Sequence, residues 1–456
     1  MKTSIIILTH NQLEYTKKCI GSIRKYTKTD YEIIVVDNAS SDDTVSYLQH
    51  QDDIKVIFNH KNLGFAKGNN QGYEIATGNT IVFLNNDVVV TSGWLELMLE
   101  TLYSSESIGM VGPVTNNISG LQMIPVSYNQ ITLQGLQEFV SDYQKNSIGN
   151  IRKSLRLVGF CLACKRSVLN EIGLFDETFG IGNYEDDDLC LRALERGYEL
   201  YIVQNAFIHH YGSVTFREGN VDYTKLMNTN QIKLQKKWGF SVNYFMFSRP
   251  EVVNLVPNGV KRVLEIGCGM GAMALELKER YKCKVVGVEI DTKVAEFAKY
   301  NLDKVYSDDI EVFEVSELGR FDCIICADVL EHLRDPWTVV QELSNLLEKE
   351  GYMIISIPNA SNIEVIKSLI QGDFTYKDAG ILDKTHLRFF TRKTLPTLFP
   401  TEMELKEVHS IPSSYNDSEK VFVEFLGRLG KKFQLDTEMI EVDALTYQFL
   451  LKAQKK

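Results

Sequence analysis

The strongest constraint in this sequence is an alternation that occurs twice. From residue 4 to 114, apolar runs alternate with amphipathic stretches: SIIIL, a helix-like 13–26, EIIVVD, a helix near 42–49, IKVIF, a helix near 65–76, TIVFLNND and a helix near 92–103. The pattern restarts at Lys261 with KRVLEIG, a helix over 271–281, KVVGVE, a helix over 293–300, FDCIICADV, a helix over 335–348 and YMIISIP. Strands separated by helix-length segments form parallel sheets with helices on both faces. Ligands of such sheets bind outside the carboxyl ends of the strands. The sequence therefore predicts an α/β chain of two domains, 1–242 and 243–456, with the seam between Trp238 and Glu251, beside Pro250 and Pro257. A chain of 456 residues, 44% apolar, can bury two such cores.

The net charge of −11 argues against nucleic acid or an anionic membrane as the main partner and favours a small molecule or glycan. Membrane contact is at most peripheral: the basic-aromatic run KLQKKWGF (233–240) reads as a solvated helix end or a surface anchor, and no stretch has the length of a bilayer span. The apolar run of MKTSIIILTHNQ stops too early for a signal peptide, and the eight cysteines sit in apolar contexts, so a reducing, cytoplasmic setting is expected. Cys161–Cys164 and Cys323–Cys326 have CxxC spacing but no nearby histidines, which argues for buried thiols over zinc. Residues 115–150 read as a polar, irregular cover or acceptor contact, and 416–454 as an amphipathic helical tail over the second sheet.

In the first half, polar residues gather at strand ends. Asp37, Asn38 and Ser40 close EIIVVD, where a carboxylate can accept the imide hydrogen of a uracil or thymine ring, or make only an Asx turn. Asn62, Gly64 and Lys67 form a glycine-bearing turn before a helix, suited to ribose or phosphate. Asp87 ends LNND, where a hard divalent cation needs a carboxylate, and His209 or His210 can complete its shell. The four acids Glu185 to Asp188 exceed what helix capping requires, so one of them is a candidate general base.

As an ordered set, SIIILTHN, VVDNASSDDT, NLGFAKGNNQG, FLNNDVVV and YEDDDLCLRALERGY resemble the family 2 glycosyltransferases of the inverting GT-A fold over about residues 1–240. The resemblance implies a UDP- or dTDP-sugar donor, a glycan or glycoprotein acceptor, and Mn²⁺ or Mg²⁺ as cofactor. It implies that Asp37 reads the base, that Thr9, Asn11, Asn38, Asn62, Gly64, Lys67, Asn85 and Asn86 also serve the donor, and that Asn85 and Asp87 occupy the two ends of the family's Asp-x-Asp motif. Asp87 and His210 are then the metal ligands and Asp186 the acceptor base. Asn85 in place of the first aspartate is similar to rhamnosyltransferase-like members.

In the second half, VLEIGCGMGA ends a strand and opens a helix through Gly267, Gly269 and Gly271, which permit close approach of a nucleotide. The string also fits a dinucleotide loop, so a nicotinamide enzyme stays open at this point. Glu265, inside the strand, suits the charged amino-acid end of S-adenosylmethionine; Glu289 suits ribose hydroxyls; Asp309 and Ile310 suit adenine. Asp328 ends the fourth strand beside Glu331, a cap or a metal ligand, and His332 and His386 are candidate bases for a hydroxyl. With FDCIICADVLEHLRDP, ISIPNASN and GILDKTHLRFFT, this half resembles the class I S-adenosylmethionine-dependent methyltransferases over about 245–456, specifically small-molecule O-methyltransferases found with surface-glycan enzymes. The resemblance implies a Rossmann-like fold and S-adenosylmethionine as cofactor, with Glu265, Gly267, Gly269, Gly271, Glu289, Asp309, Ile310 and Asp328 around it.

Overall fold

The structure, a computed structural model, describes residues 1–147, 149–212 and 222–456. The chain divides into two compact units, Met1–Val242 and Asn243–Lys456.

In the first unit, nine strands form one sheet among the described residues. They are β1 (Thr3–Thr9), β2 (Tyr31–Asp37), β3 (Ile54–Phe58), β4 (Thr80–Asn85), β5 (Val88–Val90), β6 (Ile108–Thr115), β7 (Ile151–Ser154), β8 (Cys161–Lys165) and β9 (Glu199–His210). The order is β3-β2-β1-β4-β8-β6-β9-β5, with β7 on β9. The first four strands are parallel, as their alternation with helices requires, and Ile5, Ile6, Ile7, Ile34, Val35 and Val36 are fully buried, as expected of strands covered on both faces. Beyond the strands read from the alternation, the sheet gains antiparallel pairs: β8 runs antiparallel to β4 and β6, and β5 and β7 run antiparallel to β9. β1 has β2 on one side and β4 on the other, so chain order reverses there. Thr9 stands in register with Asp37, and Leu8 with Asn85, which brings three strand ends to one crevice.

Two expectations for this unit need correction. Residues 136–146 of the supposedly irregular segment form a helix that buries Leu136 and Val140. The reading of KLQKKWGF as a surface anchor is also corrected, in favour of a solvated helix end: Lys233 and Lys236 are exposed, but Trp238 and Phe240 are buried, and the Trp238 indole donates to Asp188 at 3.0 Å.

The second unit holds a seven-stranded sheet: β10 (Arg262–Ile266), β11 (Lys284–Glu289), β12 (Lys304–Ser307), β13 (Phe321–Ala327), β14 (Leu347–Pro358), β15 (Met403–Pro412) and β16 (Thr446–Lys455). Its order, β12-β11-β10-β13-β14-β16-β15, puts a second reversal of chain order at β10. The tail read as helical is only partly so. Helices span Asp417–Lys432 and Thr437–Leu445, but the chain then re-enters the sheet as β16, antiparallel to both β14 and β15. All eight cysteines are free and buried. Residues three apart on a strand point to opposite faces, and Cys323 and Cys326 indeed belong to different cores, so neither CxxC pair converges on one ion.

Candidate functional site

Each reversal point carries a polar crevice, where open α/β sheets bind ligands. In the first, Asp37 is 1% exposed; its Oδ2 accepts the Ser40 amide at 3.0 Å, while Oδ1 is buried without a partner. A buried carboxylate oxygen left so is costly unless a ligand donor reaches it. Asn11 fixes the facing loop: its amide donates to Ser40 Oγ at 2.6 Å and its Oδ1 accepts the Ser41 amide at 2.7 Å. Asn38 bridges to the glycine turn, donating to Gly64 O at 3.1 Å and Asn62 Oδ1 at 3.3 Å, and Asn62 Oδ1 accepts the Gly64 amide at 2.9 Å. Lys67 pairs with Glu177 at 3.2 Å. Thr9 and Asn86 tie strand ends together through Asn86 Nδ2 to Thr9 Oγ1 at 3.2 Å, and the Asn85 amide donates to Phe160 O at 2.9 Å.

Asp87 and His210 meet across the β5–β9 junction, with His210 Nε2 3.3 Å from Asp87 Oδ1. His210 Nδ1 lies 2.8 Å from Asn117 O, and Asn116 Oδ1 accepts the His210 amide at 2.8 Å, so the 115–150 segment positions this ring. A carbonyl only accepts, so Nδ1 carries the proton and Nε2 is left facing the carboxylate, an N/O donor pair that fits a divalent cation. Burial pulls the His210 pKa down, but the Asp87 carboxylate more than offsets it and the net shift is upward. Its neighbour His209 is different: burial, then the adjacent His210, lowers its pKa to about 4, and its Nδ1 bonds Tyr128 OH at 2.6 Å. His209 is therefore a neutral structural group, and His210 is the one that meets Asp87.

The acid run occupies the first turn of the helix Glu185–Glu195, and all four side chains are buried. Two are neutralised: Asp187 by Arg156, and Asp188 by Arg192 at 2.9 Å and Lys237 at 2.8 Å. Asp186 accepts the Gly159 amide at 2.8 Å and the Asp187 amide at 3.0 Å, which leaves each oxygen a further lone pair. Glu185 keeps Oε2 buried and without a partner, and burial followed by the Asp186 charge pushes its pKa well above the carboxylate range. Arg156 and Gly159 are contacts of the acid run that the sequence does not signal, since an isolated Arg and Gly carry no pattern.

In the second crevice, Gly267, Gly269 and Gly271 all have positive φ (69°, 53° and 86°). A Cβ would come within 2.7 Å of Val329 at Gly267 and 2.5 Å of Leu302 at Gly271. The loop thus needs glycine for both conformation and space. Glu265 is buried with Oε2 unpartnered, and burial and then Glu289 raise its pKa strongly, so the site suits a cationic ligand group. Glu289 accepts the Gly269 amide at 2.8 Å and the Asp291 amide at 3.0 Å, binding the glycine loop to the end of β11. Asp309 Oδ1 accepts the Glu311 amide at 3.0 Å, and Ile310 is buried in the core beneath. Asp328 is committed to Arg249, Gln448 and Ser356 Oγ (2.7 Å), a network absent from the sequence reading because its partners lie 79, 120 and 28 positions away. Glu331, His332 and His386 come together just beyond.

Ten non-glycine residues have positive φ among the described residues, and six of them (Asn11, Gln12, Ala39, Asn183, Tyr184 and Asp328) stand in or beside these two crevices. Such conformations cost about 1–3 kcal/mol each and concentrate where geometry serves a ligand.

Comparisons with known proteins divide the chain in the same way. Residues 4–173 match the glycosyl transferase family 2 model and residues 242–405 match a methyltransferase-domain model. The second match decides the glycine loop against a nicotinamide enzyme. An uncharacterised glycosyltransferase of Nostoc sp. is 35% identical over 116 residues, 24% of this chain and 36% of its own. The glycosyltransferase AglE of Haloferax volcanii is 25% identical over 43% of this chain and 62% of its own. A ubiquinone biosynthesis O-methyltransferase of Paracidovorax citrulli is 28% identical over 26% of this chain and 53% of its own. The chain thus spans less than two thirds of each of these relatives. No described helix is long and apolar enough to cross a membrane.

Proposed function

We propose that this chain, which carries a family 2 glycosyltransferase domain followed by a methyltransferase domain, transfers a sugar from a UDP- or dTDP-sugar to a glycan or glycoprotein with inversion and methylates a hydroxyl of the same glycan. The observation that carries the reading is the pair of reversal-point crevices, each floored by a buried carboxylate oxygen with no protein partner, Asp37 Oδ1 in one and Glu265 Oε2 in the other. Each oxygen waits for a donor or a positive charge.

In the first domain, Asp37 accepts the base, the Asn11–Ser40 and Asn38–Asn62–Gly64 contacts hold the loops around the nucleotide, and Asp87 with His210 would hold Mn²⁺ or Mg²⁺. The cation would supply positive charge at the departing diphosphate. Asp186 takes the acceptor proton from the face opposite the leaving group, and its carboxylate is aimed by the Gly159 and Asp187 amides. In the second domain, the glycine loop and Glu289 hold the nucleoside of S-adenosylmethionine, and Glu265 faces its amino-acid end. That cofactor would supply an electrophilic methyl group. His332 and His386 meet the acceptor hydroxyl, and kinship with an O-methyltransferase favours oxygen as the methylated atom. Free buried thiols support action in the cytoplasm.

The test is mass spectrometry of products formed by the full chain from panels of nucleotide sugars and acceptors, with and without S-adenosylmethionine. A glycan that gains one sugar, and one methyl only when the cofactor is present, is the expected result. A methyl group on a molecule unrelated to the sugar or its acceptor would refute the shared substrate.

A further inference from the structure

Glu331 is 1% exposed, and its Oε2 has no hydrogen-bond partner among the described residues. Isolated carboxylates are not left in such places without a proton or a cation. Among the described residues no arginine or lysine is paired with it; the guanidinium of Arg249 is engaged by Asp328 and Glu251 instead. What faces Glu331 is a pair of imidazoles. One donor atom each from Glu331, His332 and His386 lie within 4.8 Å of one another.

The histidines are prepared by the backbone. His386 Nδ1 lies 2.8 Å from Ile381 O and His332 Nδ1 3.3 Å from Thr385 O. Carbonyls only accept, so both Nδ1 atoms carry hydrogen and both Nε2 atoms present lone pairs. This second contact to a carbonyl is the arrangement that metal-ligating histidines use to fix tautomer and ring direction. The rings stand 4.8 Å apart at 72°, an edge contact that leaves both lone pairs unblocked by stacking. The two segments of the site are also clamped, because Glu331 O accepts the amides of Leu387 at 2.7 Å and Arg388 at 3.0 Å. Residues 54 and 55 positions apart are thereby held in one place by main-chain bonds, independent of any ion.

We propose that Glu331, His332 and His386 bind a divalent first-row transition ion, which takes a hydroxyl oxygen of the methyl acceptor. The donor set, two imidazoles and one carboxylate, favours Mn²⁺, Fe²⁺, Co²⁺ or Zn²⁺ over Mg²⁺, and leaves coordination positions for a substrate. Glu331 lies in the turn Leu330–His332 that directly follows the end of β13 and Asp328, so an acceptor held on this ion stands at the rim of the cofactor crevice. The histidines then meet the hydroxyl through the ion and not as free bases. The placement of the acceptor rests on the methyltransferase reading; the ion site does not.

The experiment uses the full chain carrying Asp87→Ala, so that the ion of the first domain is removed. Titration with Mn²⁺, followed by electron paramagnetic resonance of the free ion, should show one bound equivalent, and spin-echo modulation should show imidazole nitrogen. Glu331→Gln and, separately, His386→Gln should weaken Mn²⁺ binding by about 10–100-fold or more. Calorimetry with S-adenosylhomocysteine runs in parallel. Unchanged cofactor affinity in the variants shows that they fold. No Mn²⁺ bound to the Asp87→Ala chain, or affinity untouched by both substitutions, overturns the ion site; bound Mn²⁺ without any S-adenosylhomocysteine affinity overturns the methyltransferase reading instead.

Discussion

Replacing Arg156 by Met tests how the buried acids of the first domain are tolerated. The substitution keeps most of the apolar stem and removes the charge that Asp187 meets in a nearly closed environment, where the Asp187 side chain is 4% exposed. Burial, only partly offset by Arg156, raises the Asp187 pKa to about 6. The unfolded value is about 3.9. A carboxyl whose folded pKa is raised contributes stability that is present below pH ~4 and is lost as pH rises through about 6. Without Arg156 the folded pKa rises further and the loss continues beyond pH 6. Wild type and variant should therefore melt together at pH 5 and separate above pH 6 by up to ~1.4 kcal/mol per pH unit, or about 3 kcal/mol at pH 8. For a unit of this size that is a fall of about 6–12 °C in its melting transition. Asp187→Asn combined with Arg156→Met should recover most of it. Differential scanning calorimetry across pH 5–8 reads the effect, and the acidic limb of the glycosyl-transfer rate should move to higher pH. A drop of equal size at pH 5 and pH 8 would refute the electrostatic account and leave lost packing as the cause.

Other outcomes follow from single contacts. Asp37→Ala should weaken UDP binding by about 10–100-fold in calorimetry, because the one carboxylate oxygen left for the base is gone; unchanged affinity would move base recognition elsewhere. Asp186→Asn should keep donor affinity while turnover falls by about two to four orders of magnitude, and a near-normal rate, together with a dead Glu185→Gln, would assign the base to Glu185. Gly269→Val should abolish S-adenosylhomocysteine binding through a φ of 53° and a Cβ 3.2 Å from Phe245, and Glu289→Gln should weaken it by loosening the Gly269 amide; equal affinity in both would contradict the placement of the cofactor. Excess chelator should stop sugar transfer, and persistence of that activity would remove the ion from Asp87 and His210.

The strand ends were legible because a buried parallel strand is a continuous apolar run, and the polar residue that closes it is visible in sequence, as with Asp37 after EIIVV and Glu289 after KVVGV. Strand direction was not. β8 has the same apolar character as β1 and β2, and nothing local tells it to run antiparallel to both β4 and β6. β16 was missed for a related reason: TYQFLLKAQK directly follows a helix and continues its apolar content, so only pairing with β14 reveals it. In the acid run, the sequence showed an excess of carboxylates but not which were committed. Arg156, Arg192 and Lys237 sort Asp187 and Asp188 from Glu185 and Asp186 through contacts 31, 4 and 49 positions distant.

The placement of β16 also sets an order in time. A ribosome finishes the nine strands of the first sheet by residue 210, so that domain can close while the second is still being made. The second sheet cannot: β15, complete by residue 412, has no place beside β14 until residues 446–455 emerge and slip between them. During that interval the apolar edge of β14, including Ile354 and Ile355, lies open to any passing strand. A first domain already folded upstream would then carry an unfinished partner, and arrest of synthesis before residue 446 should yield a folded first domain attached to an aggregation-prone tail.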